Sequence, residues 1–419
     1  MAMVEKVSIY EEFHLKTDDP SPTPDSKVSI NGTNQKPRQG RLYSTKYSEL
    51  PGGLRVDEMI YGVQMAHLSC TDDSENRLKG SGANTVKALE EIVGADDLRK
   101  PLSTLLKDHF NLNLDCWIDE SGFRMGRAVD TQGFIASNED TIVLSYRFST
   151  TGLDWITNLS MTSSEWEPDR DEIIGHAGIC SCVDGLFTKF CTSRGKPRVH
   201  TGFYNNFIYT IPMIRKHILE PLLRSDATPK KVYIVGCSLG AALATCAFCF
   251  VLQEMLPSLE NPTFVNHKLI NVTAGSPRVC DKLMQQTVME RMAKLKPLDR
   301  AVICRLVFNL DLVPHVPFRL GGFYHLDKLV YITNEGDVII NPQMTKYTQK
   351  FNEVKALFQS FTSKDKMDEE HATASKSETE KTPFEIECEK TPVPIKNHMP
   401  FWYLTRLRML EAKVLAGEV

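Results

Sequence analysis

The chain has 419 residues, 42% of them hydrophobic, and a formal net charge of −4. That length supports a large buried core, and the composition is that of a globular protein. The charge argues against a nucleic-acid binder relying on bulk positive charge, so no nucleic-acid partner is expected.

Residues 1–48 are polar and rich in Pro, Ser, Asp and Asn, and are expected to form a disordered tail. Residues 49–419 are expected to form one domain. No apolar h-region of a secretory signal opens the sequence. No run reaches about 18 uncharged apolar residues, so no transmembrane segment is expected. The eleven cysteines fit a reducing compartment, and a cytoplasmic or peripherally membrane-associated location follows as the expectation. Cys180, Cys182 and Cys191 lack a fourth ligand at zinc-site spacing, so no metal is expected.

Apolar residues recur at helical spacing over 55–70 (Met59, Ile60, Val63, Ala66) and predict an opening helix. A second helical stretch spans 85–110. Residues 130–136 and 141–148 read as two strands joined by a polar turn at 137–140. The segment 152–159 is amphipathic, with Leu153, Ile156 and Leu159 on one face. Residues 160–198 are loop-like, and a helix is expected over 205–223.

Four apolar residues, Val232 to Val235, then lead into Gly236-Cys237-Ser238-Leu239-Gly240. A Gly-x-Ser-x-Gly pattern alone is weak. Here an apolar strand precedes it and a small-residue helix follows, over about 239–256. In that context it reads as a nucleophile elbow, a sharp strand-to-helix turn that exposes a strained serine hydroxyl. Residues 269–274 form a further strand, 281–295 a helix, 302–309 a strand, and 328–340 a hairpin. Residues 361–392 are charged and poor in apolar residues, an expected disordered insert. Asn397-His398 opens a last helix running to about 414. Strands alternating with helices from residue 231 predict a mostly parallel sheet with helices on both faces.

A serine hydroxyl becomes a nucleophile when a histidine takes its proton and an acid holds the imidazole in place. In α/β-hydrolases the chain order is Ser, acid, His, with the acid after a strand. Asp311 follows the strand at 302–309 and is the leading acid. Asp281 competes, but it lies where a helix begins and suits the helix dipole. His398 is the leading base. His325 is the alternative, and His315, four residues from Asp311 on the same turn, reads as structural rather than catalytic. The backbone N–H of Leu239 and a group at Ser149, directly after a strand, are the expected oxyanion donors.

Taken in order, these pieces resemble the fungal-type, or class 3, lipase family of the α/β-hydrolase superfamily. The matching residues are Ile142 to Arg147 with Ser149 and Trp155; Val199 to Tyr204; Gly236 to Ala244; Ala274 to Val279; Asp311 to Pro314 with Pro317; Tyr324-His325; and Asn397-His398 with Phe401 to Tyr403. The resemblance implies a triad of Ser238, Asp311 and His398, with Ser149 and Leu239 at the oxyanion. It also implies a helical lid over about 152–159 that makes transient contact with a lipid surface, a lipid or ester substrate, and no cofactor. The chain departs from the family at Phe148, where Gly is usual, at Cys237 in place of His, and at Cys280 in place of Gly. A Phe adopts positive φ only at a cost, so Phe148 predicts a displaced oxyanion loop. Acylglycerol hydrolysis is the implied activity. Phospholipid hydrolysis, acyl transfer, and a non-catalytic lipid binder that keeps the fold are the alternatives.

Overall fold

A computed structural model describes residues 53–71, 82–124, 127–148, 162–168, 195–309, 311–317, 322–326, 329–340, 382 and 397–417, all within the unit Gly40–Val419. The expected tail, the lid segment, Ser149, the three cysteines at 180–191 and nearly all of the charged insert lie outside these residues.

Three helices come first: α1 (Val56–Leu68), α2 (Ala83–Val93) and α3 (Leu102–Phe110). The single helical stretch expected over 85–110 is thus two helices. Gly94 caps the first at φ 86°, and Pro101 starts the second. Strands β1 (Asn113–Arg124), β2 (Arg127–Ser137) and β3 (Thr141–Tyr146) follow. A short antiparallel pair, β4 (Ser163–Glu165) and β5 (Arg198–His200), leads into α4 (Thr201–Ile208). The helix expected over 205–223 is broken after Ile208, and its later part holds a π-helical turn at Arg215–Leu219.

The remaining elements are β6 (Lys231–Cys237), α5 (Ser238–Leu259), β7 (Lys268–Ala274), α6 (Lys282–Leu295), β8 (Ala301–Phe308), β9 (Leu329–Ile332), β10 (Val338–Ile340) and α7 (Pro400–Ala416). One eight-stranded sheet runs β1-β2-β3-β6-β7-β8-β9-β10. Its five central strands, β3 to β9, are parallel, and β1, β2 and β10 add antiparallel edges.

Alternation along the strands divides the core. On β6, Val232 and Ile234 face a cluster with Phe207, Phe248 and Phe250 from α4 and α5. Tyr233, Val235 and Cys237 face the opposite cluster with Met59 and Val63 of α1 and Leu407 of α7. Glu58 of α1 ties that helix to β6, accepting from Lys231 Nζ at 2.5 Å and Tyr233 OH at 3.2 Å. By length and apolar composition α5 could cross a bilayer, but 78% of that window is buried in the protein. It is the central core helix. A mainly parallel sheet covered by helices on both faces, with an elbow between β6 and α5, is the α/β-hydrolase architecture.

Candidate active site

The elbow forms because two glycines let three backbones meet. A Cβ on Gly236 would collide with the carbonyl of Gly240, and a Cβ on Gly240 would collide with the carbonyl of Tyr146. The first contact closes the turn. The second presses the N-terminus of α5 against the end of β3. Between them Ser238 adopts φ 53°, a left-handed conformation that costs a non-glycine residue free energy and marks a geometry imposed by its surroundings. Ser238 is 6% exposed and stands at the carboxyl end of β6. Leu239 follows on the first turn of α5, where backbone N–H groups have no carbonyl partner inside the helix.

Asp311 lies just past β8 and is fully buried. Its Oδ1 accepts from the backbone N–H of Val313 at 2.9 Å, and its Oδ2 accepts from Tyr403 OH at 2.5 Å. His398 Nδ1 is 2.9 Å from both carboxyl oxygens. A proton on Nδ1 therefore points at Asp311 and leaves Nε2 with its lone pair. Gly275, at φ 60° after β7, presses on the pair: a Cβ there would stand 2.8 Å from Asp311 Oδ2 and from His398 Nδ1. Asp311 and His398 are thus brought together. Among the described residues Ser238 Oγ makes no hydrogen bond, so its contact with His398 is not part of this geometry.

The competing residues have other places. Asp281 caps α6, accepting from Met284 N at 2.7 Å. His325 Nε2 is 2.8 Å from the carbonyl of Pro314, away from the elbow. His315 lies on the acid loop, where burial, with Arg278 beside it, lowers its pKa to about 4. None of the three is paired with Ser238.

The expected distortion at Phe148 takes a different form. Phe148 has no positive φ, and its ring is buried against the core. The ring meets His67 of α1 edge-on, with centroids 6.3 Å apart. The side chain that replaces glycine has become part of the α1 packing. Ser149, the expected donor beyond it, lies outside the described residues. Cys237 is also buried, and burial pushes its thiol well above the ordinary range. At the position where His is usual, this residue fills space rather than ionising.

Tyr403 is the residue whose role went unread. It sits on the first turn of α7, five residues after His398, and it is 1% exposed. Its hydroxyl donates to Asp311 and accepts from Phe308 N at 3.0 Å. Burial, reinforced by Asp311, holds the phenol's pKa well above its usual value, so it stays a donor. The available signal was a tyrosine on the helix turn directly following the candidate base.

Comparison with known proteins gives three kinds of match. A family model described as Lipase (class 3) matches residues 143–321, a stretch that holds the elbow, the β7 turn and Asp311. A curated relative, phospholipase A(1) DAD1, chloroplastic, of Arabidopsis thaliana, is 24% identical over 285 residues. The match covers 64% of this chain, which spans 57% of that protein's length. Among solved structures, mono- and diacylglycerol lipase from Aspergillus oryzae aligns at 18% identity and a TM-score of 0.45, over 68% of this chain and 86% of that one. A lipase from Rhizopus microsporus var. chinensis aligns at 19% identity and a TM-score of 0.43, over 67% and 76%. Over residues 143–321 the chain is thus similar to the class 3 lipase family.

Proposed function

We propose that the chain is a serine carboxyl-ester hydrolase acting on fatty-acyl esters of glycerolipids. The observation that carries this reading is the Asp311–His398 pair, closed at 2.9 Å, in a fold that holds Ser238 in a strained elbow. Ser238 Oγ attacks the ester carbonyl as His398 Nε2 takes its proton. Asp311 fixes the ring tautomer and stabilises the imidazolium. The tetrahedral oxyanion is held by the N–H of Leu239 and by Ser149. Collapse of the intermediate breaks the ester bond, and His398 returns the proton to the departing alcohol. Water, deprotonated by His398, then attacks the acyl-enzyme, releases the fatty acid and restores Ser238. The chain's own residues supply every step.

The substrate class rests on the match of residues 143–321 to the class 3 lipase family model. The relatives are named as acylglycerol lipases and as a phospholipase A(1), so acylglycerols are the first substrate to test and diacyl phospholipids the second. The lid at 152–159 would meet the lipid surface, with the protein in the cytoplasm or peripheral to a membrane. A non-catalytic lipid binder that keeps the fold is the second reading, and fluorophosphonate labelling and turnover measurements separate it from the hydrolase. Ser238→Ala is the test, against p-nitrophenyl esters of medium and long chain. Turnover should fall by about 10³-fold or more. An unchanged rate would rule out the mechanism.

A further inference from the structure

The loop that carries Asp311 has little structure of its own. Apart from the Val313 N–H to Asp311 Oδ1 bond, its internal bonds among the described residues are one 3-10 turn, with His315 N to Leu312 O at 3.0 Å and Val316 N to Val313 O at 3.1 Å. The carbonyls of its last four residues instead turn to two side chains from elsewhere. Pro314 O accepts from His325 Nε2 at 2.8 Å. His315 O accepts from Arg278 Nη1, which also donates to Pro317 O at 2.9 Å. Val316 O accepts from the backbone N–H of Arg278 at 2.8 Å. Four consecutive carbonyls are thus held by Arg278 and His325.

These two residues are themselves anchored. Arg278 is three residues beyond Gly275, the glycine pressed against Asp311 and His398. The β7 turn therefore touches the catalytic pair at one end and grips the acid loop at the other. His325 is held from α6, where Gln285 Nε2 donates to its carbonyl at 2.6 Å. Its neighbour Tyr324 bonds N–H to Cys280 O at 2.6 Å.

We propose that Arg278 and His325 are positioning residues of the reaction, a clamp that fixes the acid loop so that the Asp311 carboxyl meets His398 Nδ1. The proposal rests on the hydrolase reading above. Neither residue touches the reacting atoms. Both act through the loop backbone, and a displacement of about 1 Å at a catalytic group can cost on the order of 10²-fold in rate. Burial, together with Arg305 and Arg278, drives the His325 pKa well below its ordinary value. The neutral ring carries one proton, and Nε2 spends it on Pro314 O.

The test compares the full-length wild type with Arg278→Ala, Arg278→Lys and His325→Ala, and with Arg224→Ala as a control at a surface ion pair. Rates are read on a soluble short-chain ester below the melting temperature. Arg278→Ala should lower kcat by about 100-fold with KM nearly unchanged, and millimolar guanidinium should restore part of it. Arg278→Lys, which keeps one cationic donor, should fall between. A second readout needs no activity: the low-field proton of the His398–Asp311 pair by NMR, present in the wild type and lost or broadened in Arg278→Ala. A kcat preserved in folded Arg278→Ala, or a low-field proton left in place, would overturn the clamp. If Arg278→Ala does not fold, Arg278→Lys decides: wild-type kcat and an unshifted proton would overturn it. An inactive wild type that still loses the proton on substitution would contradict the hydrolase reading and leave the clamp standing.

Discussion

Asp311 has no solvent contact and accepts from three donors: the N–H of Val313, the hydroxyl of Tyr403 and Nδ1 of His398. Removing a donor from a buried carboxyl exposes the asymmetry of hydrogen bonding, in which an unmade bond costs more than a made one contributes. Tyr403→Phe should therefore cost about 1–3 kcal/mol of stability, because it also strips Phe308 N of its acceptor. It should lower kcat by about tenfold with KM held, as expected when roughly 1.4 kcal/mol of positioning is lost. Denaturant titration and steady-state kinetics check the two parts. The thiols near the elbow make a second prediction. Burial drives the Cys70 pKa up to about 12 and that of Cys237 higher still. Iodoacetamide at about pH 8 should leave both unmodified in the native protein, since the thiolate is the reacting form; peptide mass spectrometry reads this out. Of the candidate site, the Asp311–His398 pair and the strained turn at Ser238 were legible in the chain. Ser238, Asp311 and His398 each sit at a strand end or helix start that periodicity marks. Tyr403, Arg278 and His325 were not assigned these roles, because they act through a third group and only the folded backbone shows what that group is.

Elements carry the site through close backbone approaches. The N-terminus of α5 lies against the carbonyl of Tyr146, the last residue of β3, with no room for a side chain on Gly240. Gly240→Ala should force α5 away from β3 and misplace both the elbow and the carboxyl end of β3. We expect a stability loss of about 1–3 kcal/mol, as for overpacking, and a larger loss in kcat than in KM. Thermal melts and kinetics on a soluble ester check this, and wild-type values for both would contradict it. The short strands β4 and β5 fell in or beside a stretch read as loop. Strands β2, β3 and β6 to β10 were readable, the buried parallel ones because they show as apolar runs between helical stretches. Strand β1 was not. Its sequence, Asn113 to Arg124, mixes Asp115, Asp119 and Glu120 with Trp117 and Ile118, as an edge strand exposed on one side does. The helix expected over 205–223 was too long because the sequence keeps apolar spacing through the break at Tyr209 and Thr210.

For the molecule as a whole, buried and half-buried histidines link stability to pH. His315 has its pKa lowered to about 4, and those of His267 and His325 are also depressed, in each case chiefly by burial. A native histidine with a depressed pKa refuses a proton that the unfolded chain accepts near pH 6.5. The unfolded state then binds more protons, so stability is full above about pH 6.5 and falls as pH drops toward about 4. His315 alone accounts for about 2–3 kcal/mol across that window. The urea midpoint should hold from pH 7.5 to about 6.5 and fall steadily from there to pH 5, with a shallower fall in His315→Asn; a flat midpoint down to pH 5 would contradict this. Whether Ser238 is a nucleophile activated by His398 is decided by fluorophosphonate labelling of the intact protein followed by peptide mass spectrometry. One phosphonyl adduct is expected, on the peptide containing Ser238, suppressed in His398→Ala. A folded protein that takes no adduct, or takes it on another residue, would contradict it.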